Sequence, residues 1–186
     1  VTGVQTCALP ISDDFETPYF PGRTRSRSVT GLPILGSFTW DDVAWLRSIT
    51  SIPVVLKGVM TPEDAVLAVR AGVHGIIISN HGGRCLDTLP ATIDVLPAIA
   101  QAVEGRMPLL VDGGIRRGTD VLKALALGAR AVLIGRPYLF GLATAGAAGV
   151  HRVATILRDE FMMAMALTGC RSVPEIRPSI LGPSRS

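Results

Sequence analysis

From Ser37 onward, short apolar runs alternate with longer amphipathic stretches, and each kind has its own period. Thr39-Trp40-Asp41-Asp42 is a capping-box start and predicts a helix to about Thr50, with Val43 and Leu46 on one face. Pro53 to Gly58 (PVVLKG) predicts a buried strand that ends in the charge of Lys57. Thr61-Pro62-Glu63-Asp64 opens a second helix, and Gly72 stops it. The cycle then repeats. Gly75 to Ser79 (GIIIS) reads as a strand, followed by a helix from about Asp94 to Val103. Pro108 to Val111 (PLLV) reads as a strand, followed by a helix from Thr119 to Gly128. Ala131 to Ile134 (AVLI) reads as a strand, followed by a helix from about Gly149 to Thr168.

Strict β–α alternation implies a parallel sheet and an α/β fold. An open doubly wound sheet and a (β/α)8 TIM barrel both satisfy it. No GxGxxG follows the first strand, which weakens the doubly wound option. Four β–α units make the C-terminal half of a barrel, expected over residues 37–181. The chain has 186 residues, short of the roughly 250 of a whole barrel. Residues 13–36 carry turn chemistry and no period, and are expected to be a flexible loop. Residues 182–186 form a tail with no recognised address signal. Val1 to Ile11 (VTGVQTCALPI) resembles a translated sequencing adapter, so residues 1–12 are expected to be non-native and the natural chain to extend upstream.

Composition narrows the class. The chain is 48% hydrophobic and 18% charged, against roughly 25% charge in ordinary domains, which excludes disorder. It fits parallel strands covered on both faces. The net charge of +3 is small, and Arg23, Arg25 and Arg27 lack an aromatic platform, so no nucleic-acid partner is expected. The longest uncharged run near the C-terminus, Pro137 to Val150, is too short for a membrane span, so no integral membrane segment is expected. Cys7, Cys85 and Cys170 lie far apart, without metal spacing, as reduced thiols of a cytoplasmic protein would. Met162, Met163 and Met165 are expected as core filler, and Trp40 and Trp45 as packing around the first helix.

Barrels place their chemistry at the C-terminal ends of strands. Here those ends carry Lys57, then Ser79-Asn80-His81-Gly82-Gly83-Arg84, then Asp112-Gly113-Gly114-Ile115-Arg116, then Gly135-Arg136. The last two groups predict a phosphate site. Glycines allow close backbone approach, and Arg116 and Arg136 add forked, charge-assisted bonds. Asp112 suits the hydroxyls of a sugar or ribityl chain. His81 is a natural base near neutral pH, and the planar fork of Arg84 matches a carboxylate. Lys57 supplies fixed positive charge where negative charge develops.

The motifs KGV (Lys57 to Val59), SNHGGR (Ser79 to Arg84), LPATIDVLP (Leu89 to Pro97), DGGIRRGTDVLKALALGA (Asp112 to Ala129), GRP (Gly135 to Pro137) and MALTGCRS (Met165 to Ser172) together resemble the FMN-dependent 2-hydroxy acid oxidoreductases. That family includes glycolate oxidase, lactate oxidase and mandelate dehydrogenase. The resemblance implies FMN as cofactor. Its phosphate would lie at Gly114, Arg116, Gly135 and Arg136 and its ribityl chain near Asp112, with Gly113 also binding the cofactor. Lys57 matches the lysine beside flavin N1 and O2, Ser79 a residue bonded to the flavin ring, His81 the catalytic base, and Arg84 the binder of the substrate carboxylate. Cys85 and Thr88 depart from the glycolate oxidase pattern. The family's active-site tyrosines, and the aspartate that orients the histidine, belong to the first half of the barrel.

The implied reaction converts an L-2-hydroxy acid to a 2-oxo acid, with oxygen, a quinone or a cytochrome accepting the electrons. A quinone-linked enzyme would associate with a membrane surface. The intact protein is expected to be a homo-oligomer. Two alternatives stand beside this reading: another FMN- or phosphate-binding barrel enzyme, and a truncated barrel that is inactive alone.

Overall fold

In the computed structural model, the structure describes residues 26–27, 33–34, 39–84 and 86–182. The expected segment 1–12, Cys7, Cys85 and most of the expected loop 13–36 lie outside the described residues. Within that loop region, β1 (Ser26–Arg27) and β2 (Pro33–Ile34) pair antiparallel, an ordered ladder where the sequence suggested only loop.

The rest is a succession of β–α units. Helix α1 (Trp40–Ile49) is followed by β3 (Val55–Val59), α2 (Pro62–Arg70), β4 (Gly75–Ile78), α3 (Thr92–Val103), β5 (Leu109–Val111), α4 (Gly118–Ala126), β6 (Ala131–Val132) and α5 (Arg136–Leu167). The four strands β3-β4-β5-β6 pair in sequence order, all parallel. Local chemistry sets most ends. The Thr39 backbone N–H and hydroxyl both donate to Asp42 Oδ2, which starts α1. Thr61 Oγ1 accepts from the Asp64 amide with Pro62 behind it, and Gly72 at φ +69° ends α2.

Register decides what the sheet buries. Leu56 pairs with Ile76 and Ile76 with Leu109, while Ile78 pairs with Val111. These side chains share one face and are at most 5% exposed, packed with Ala65 and Ala68 of α2, Leu96, Ile99 and Val103 of α3, and Ala124 of α4. The alternate positions Lys57, Ile77 and Leu110 fall on the other face and are half-buried. So the expectation of strands covered on both faces holds for one face only within this chain.

Several boundaries differ from the sequence expectation. Lys57 lies in the middle of β3, and the strand runs on to Val59 through a register shift at Gly58 (φ +101°). Helix α3 begins at Thr92, two residues before the expected Asp94, and encloses Pro97. Strand β6 is only two residues long. The expected last helix is the second part of α5, whose first part, 136–144, had no signal beyond Pro137 in its first turn. A break at Ala145 and Gly146 separates the two parts. They meet so closely that a Cβ on Gly141 would stand 2.6 Å from the Gly149 carbonyl oxygen. By length and composition α5 could cross a membrane, but this break folds it back on itself. Met162 and Met163 are about 60% exposed, so they are not core; Met165 alone packs, in a second cluster with Leu122, Ala126, Cys170 and Ile176. Trp40 packs on the main core, whereas Trp45 is exposed.

Helix α4 is held to α5 by backbone contact and one carboxylate. A Cβ on Gly118 would stand 2.1 Å from the Phe161 nitrogen and 2.3 Å from the Glu160 carbonyl carbon. Glu160 Oε2 accepts from the Gly118 amide at 2.9 Å and Arg117 Nε at 3.0 Å, a negative charge at the start of α4. Gly118→Ala is therefore expected to cost about 2 kcal/mol, read from the denaturation midpoint. The Gly118 amide and the Arg117 guanidinium hold the Glu160 carboxyl below its ordinary 4.5. A depressed carboxyl stabilises the fold above the ordinary value and loses that contribution as pH falls through the lowered one. Thermal melts should show Glu160→Gln less stable than the parent near neutral pH, with the gap closing in acid.

Candidate functional site

The half-buried face of the sheet carries its polar residues at one end. Beyond the last paired positions, Ile78 and Val111, stand Ser79 and Asp112, level with each other. The Asp112 amide continues the ladder by donating to the Ile78 carbonyl at 3.1 Å. Lys57 starts two positions lower, and its long side chain reaches both. Its Nζ donates to Ser79 Oγ at 2.5 Å and pairs with Asp112 Oδ2 at 2.7 Å. This ion pair is half-open to solvent, with side chains 39% and 19% exposed.

His81 follows on a short 3-10 turn, His81–Gly83. Its backbone lies at φ +54°, a left-handed conformation uncommon for any residue but glycine. The His81 amide donates to Ser79 Oγ at 3.2 Å, so one buried hydroxyl accepts from both Lys57 and the histidine backbone. The imidazole is held below its ordinary 6.5, first by burial, then by the positive charges of Lys57 and Arg84; Asp112 opposes the shift. It is thus neutral, and able to take a proton, at neutral pH. Arg84 is exposed, and its amide closes the turn on the His81 carbonyl at 3.3 Å.

The other predicted residues lie on the neighbouring loops. Gly113 (φ +88°) and Gly114 (φ +75°) follow Asp112 in left-handed conformations, which explains two glycines in a row. Space is open where side chains on Gly114 and Gly135 would project. Arg136 begins α5, and its guanidinium lies 3.2 Å from where a Cβ on Gly82 would stand, so the histidine loop meets the last strand's loop. Arg116 is exposed, with its amide tied to Asp120 Oδ2 at 3.0 Å. The structure therefore joins Lys57, Ser79, His81 and Asp112 directly and Gly82 with Arg136, while Arg84 and Arg116 extend into solvent.

These residues fit a phosphorylated cofactor with a hydroxylated chain. Asp112 Oδ1 is buried without a hydrogen-bond partner, an acceptor left for a hydroxyl donor. Two exposed arginines flank glycines with open space, the donor set for a phosphate. A groove of about 880 Å³ lined by Arg106, Met107, Pro108, Arg130 and Arg177 opens at the opposite strand ends and holds none of the predicted residues.

Sequence reasoning passed over three contributors. Asn80 Nδ2 donates to the Pro90 carbonyl at 3.2 Å, and the buried Thr92 hydroxyl donates to the Asp112 carbonyl. Both residues stand within quoted motifs, yet their partners are distant in sequence. His74 Nδ1 accepts from the Val54 amide at 3.0 Å, a bond that starts β3 rather than a chemical role.

Comparison with known proteins gives one consistent picture. The family described as FMN-dependent dehydrogenase matches residues 17–183. A peroxisomal (S)-2-hydroxyacid oxidase of Arabidopsis thaliana is 60% identical over 140 residues, covering 75% of this chain and 39% of that protein. Glycolate oxidase of Spinacia oleracea is 59% identical over 143 residues, covering 77% of this chain and 39% of that protein. Mandelate oxidase solved with benzoyl-formic acid matches with a TM-score of 0.74 and 52% identity, covering 76% of this chain and 42% of that one. A mandelate oxidase variant solved with a monooxide FMN adduct matches equally well. The chain thus spans about two fifths of the length of these relatives. Its β–α units are part of a (β/α)8 barrel.

Three charges near the imidazole, Lys57 and Arg84 against Asp112, make its titration informative. In the ligand-free chain His81 should titrate below 6.5. Lys57→Met removes one of the depressing charges and should move the midpoint back upward, as read by NMR of the imidazole protons. An unchanged midpoint would show that Lys57 does not act on the imidazole.

Proposed function

The chain belongs to the FMN-dependent dehydrogenase family, and from that premise we propose that it serves the oxidation of an L-2-hydroxy acid to the 2-oxo acid. The observation that carries this reading is the gathering of Lys57, Ser79 and Asp112 at the strand ends beside a neutral His81. FMN, when bound, supplies the two-electron acceptor. Gly114, Arg116, Gly135 and Arg136 would hold its phosphate and Asp112 its ribityl hydroxyls, with Gly113 also at the cofactor. Lys57 and Ser79 would bind the flavin ring, where the lysine would offset negative charge. Arg84 clamps the substrate carboxylate and so fixes the hydroxyl carbon relative to His81. His81 takes the proton released as the 2-oxo group forms.

The relatives narrow the finer choices. They are named as oxidases of glycolate, mandelate and other 2-hydroxy acids, which favours a small 2-hydroxy acid as substrate. The same names favour oxygen over a quinone or cytochrome as final acceptor. A homo-oligomer is proposed for the whole protein; the exposed Tyr138, Leu139, Phe140 and Leu142 on the first part of α5 would be covered by a second subunit or by the rest of the barrel. The cytoplasmic placement rests on the sequence spacing of the cysteines alone; the Arabidopsis relative is peroxisomal by name.

A second reading applies to the chain by itself. Among the described residues, strands β3 and β6 each have one neighbour, which leaves both edges of this sheet open there. The 186 residues alone should bind FMN weakly and turn over nothing; robust flavin bleaching by lactate or glycolate would contradict this. In a protein carrying the whole barrel, anaerobic addition of the hydroxy acid should bleach the flavin. His81→Gln should retain FMN and slow bleaching by about 10²-fold or more. Normal reduction in that variant would remove His81 from the chemistry.

A further inference from the structure

We propose that Thr92 is a positioning residue that locks the Asp112-Gly113-Gly114 turn from the neighbouring β–α unit, with Asn80 as its brace. The inference rests on the FMN reading above for its consequence, though not for its geometry.

Thr92 is the first residue of α3 and only 2% exposed. A hydroxyl at a helix start ordinarily serves that helix by accepting from its free amides. Here the residue before it, Ala91, has no side-chain cap to offer. The Thr92 hydroxyl nonetheless turns away from its helix and donates to the Asp112 carbonyl, at the end of β5. The next residue shows how tight the fit is. At Gly113 a Cβ would stand 3.0 Å from Thr92 Oγ1 and 3.7 Å from Asn80 Oδ1. The turn is therefore walled by two side chains from another unit.

Asn80 completes the brace. It stands between Ser79 and His81, and its Nδ2 holds the Pro90 carbonyl two residues before Thr92. One chain of contacts thus runs from the histidine loop, through the start of α3, to the carbonyl of Asp112. The Asp112 side chain in turn pairs with Lys57. If the carbonyl loses its donor, Asp112 loses its fixed backbone, and its hold on Lys57 loosens with it.

Thr92→Val keeps the shape and removes the hydroxyl; Thr92→Ser keeps the hydroxyl. Two readouts on the full 186-residue chain separate the possibilities. In the ligand-free chain, NMR titration follows His81, which Lys57, Arg84 and Asp112 all influence. Asp112 is the one group raising its midpoint, so Thr92→Val should lower that midpoint further, and Thr92→Ser should leave it as in the parent. In an FMN titration followed by fluorescence quenching, Thr92→Val should bind about tenfold more weakly, with Thr92→Ser close to the parent. Asn80→Ala should move both readouts in the same direction by less, and serves in place of Thr92→Val if that variant does not fold. The proposal is overturned if the folded variant keeps both the His81 midpoint and the FMN affinity of the parent, whatever happens to its melting temperature. If the 186-residue parent takes up no FMN, the FMN titration moves to a protein carrying the whole barrel: the positioning role stands where Thr92→Val displaces the His81 midpoint, and the cofactor reading fails where the whole-barrel parent takes up no FMN.

Discussion

The register of three parallel strands is the constraint from which the site follows. Side chains alternate across a strand, so a slip of one residue would send Ser79 and Asp112 into the helix-covered face. That slip is prevented by Ile76 and Ile78, fully buried against Leu109 and Val111. The apolar fit on one face thereby fixes the polar geometry on the other. Lys57 reaches the same group from a lower position because its side chain is long, and the shift at Gly58 keeps β3 in step beyond it.

Charge is then balanced around a single pair. Lys57 and Asp112 neutralise each other at 2.7 Å while remaining partly solvated, which limits the desolvation cost that a fully buried pair would carry. The pair acts on His81 with opposite signs, and burial tips the result toward the neutral imidazole. Ser79 links the two halves of this arrangement, since its oxygen accepts from the lysine ammonium and from the histidine amide.

Much of this was legible in the sequence because it is local. Thr61-Pro62 with Gly72 marks both ends of α2, and the β–α alternation gives the parallel sheet. Site residues were legible as polar exceptions to apolar runs, as with Lys57 and Asp112, although Lys57 falls inside β3 rather than at its end. The rest depends on contacts between distant residues. Glu160 meets the Gly118 amide across 42 positions, and Thr92 meets Asp112 across 20. Neither bond leaves a periodic trace. The first part of α5 was hidden for another reason: a stretch rich in glycine and alanine has little amphipathic contrast, and its helix is fixed by backbone contact at Gly141 and Gly149. The exposed Met162 and Met163 show the reverse error, where residue type alone suggested burial.

The left-handed backbone at His81 makes that position screen substitutions twice. A replacement must satisfy both the chemistry of the side chain and a φ of +54°. Histidine and asparagine both visit this region more readily than most residues, while glutamine, unbranched at Cβ, meets the second demand less well than either. Valine or isoleucine would fail both, and their loss of function would say nothing about proton transfer. Sequence variation at this site therefore records backbone tolerance as well as side-chain chemistry, and only unbranched polar replacements separate the two.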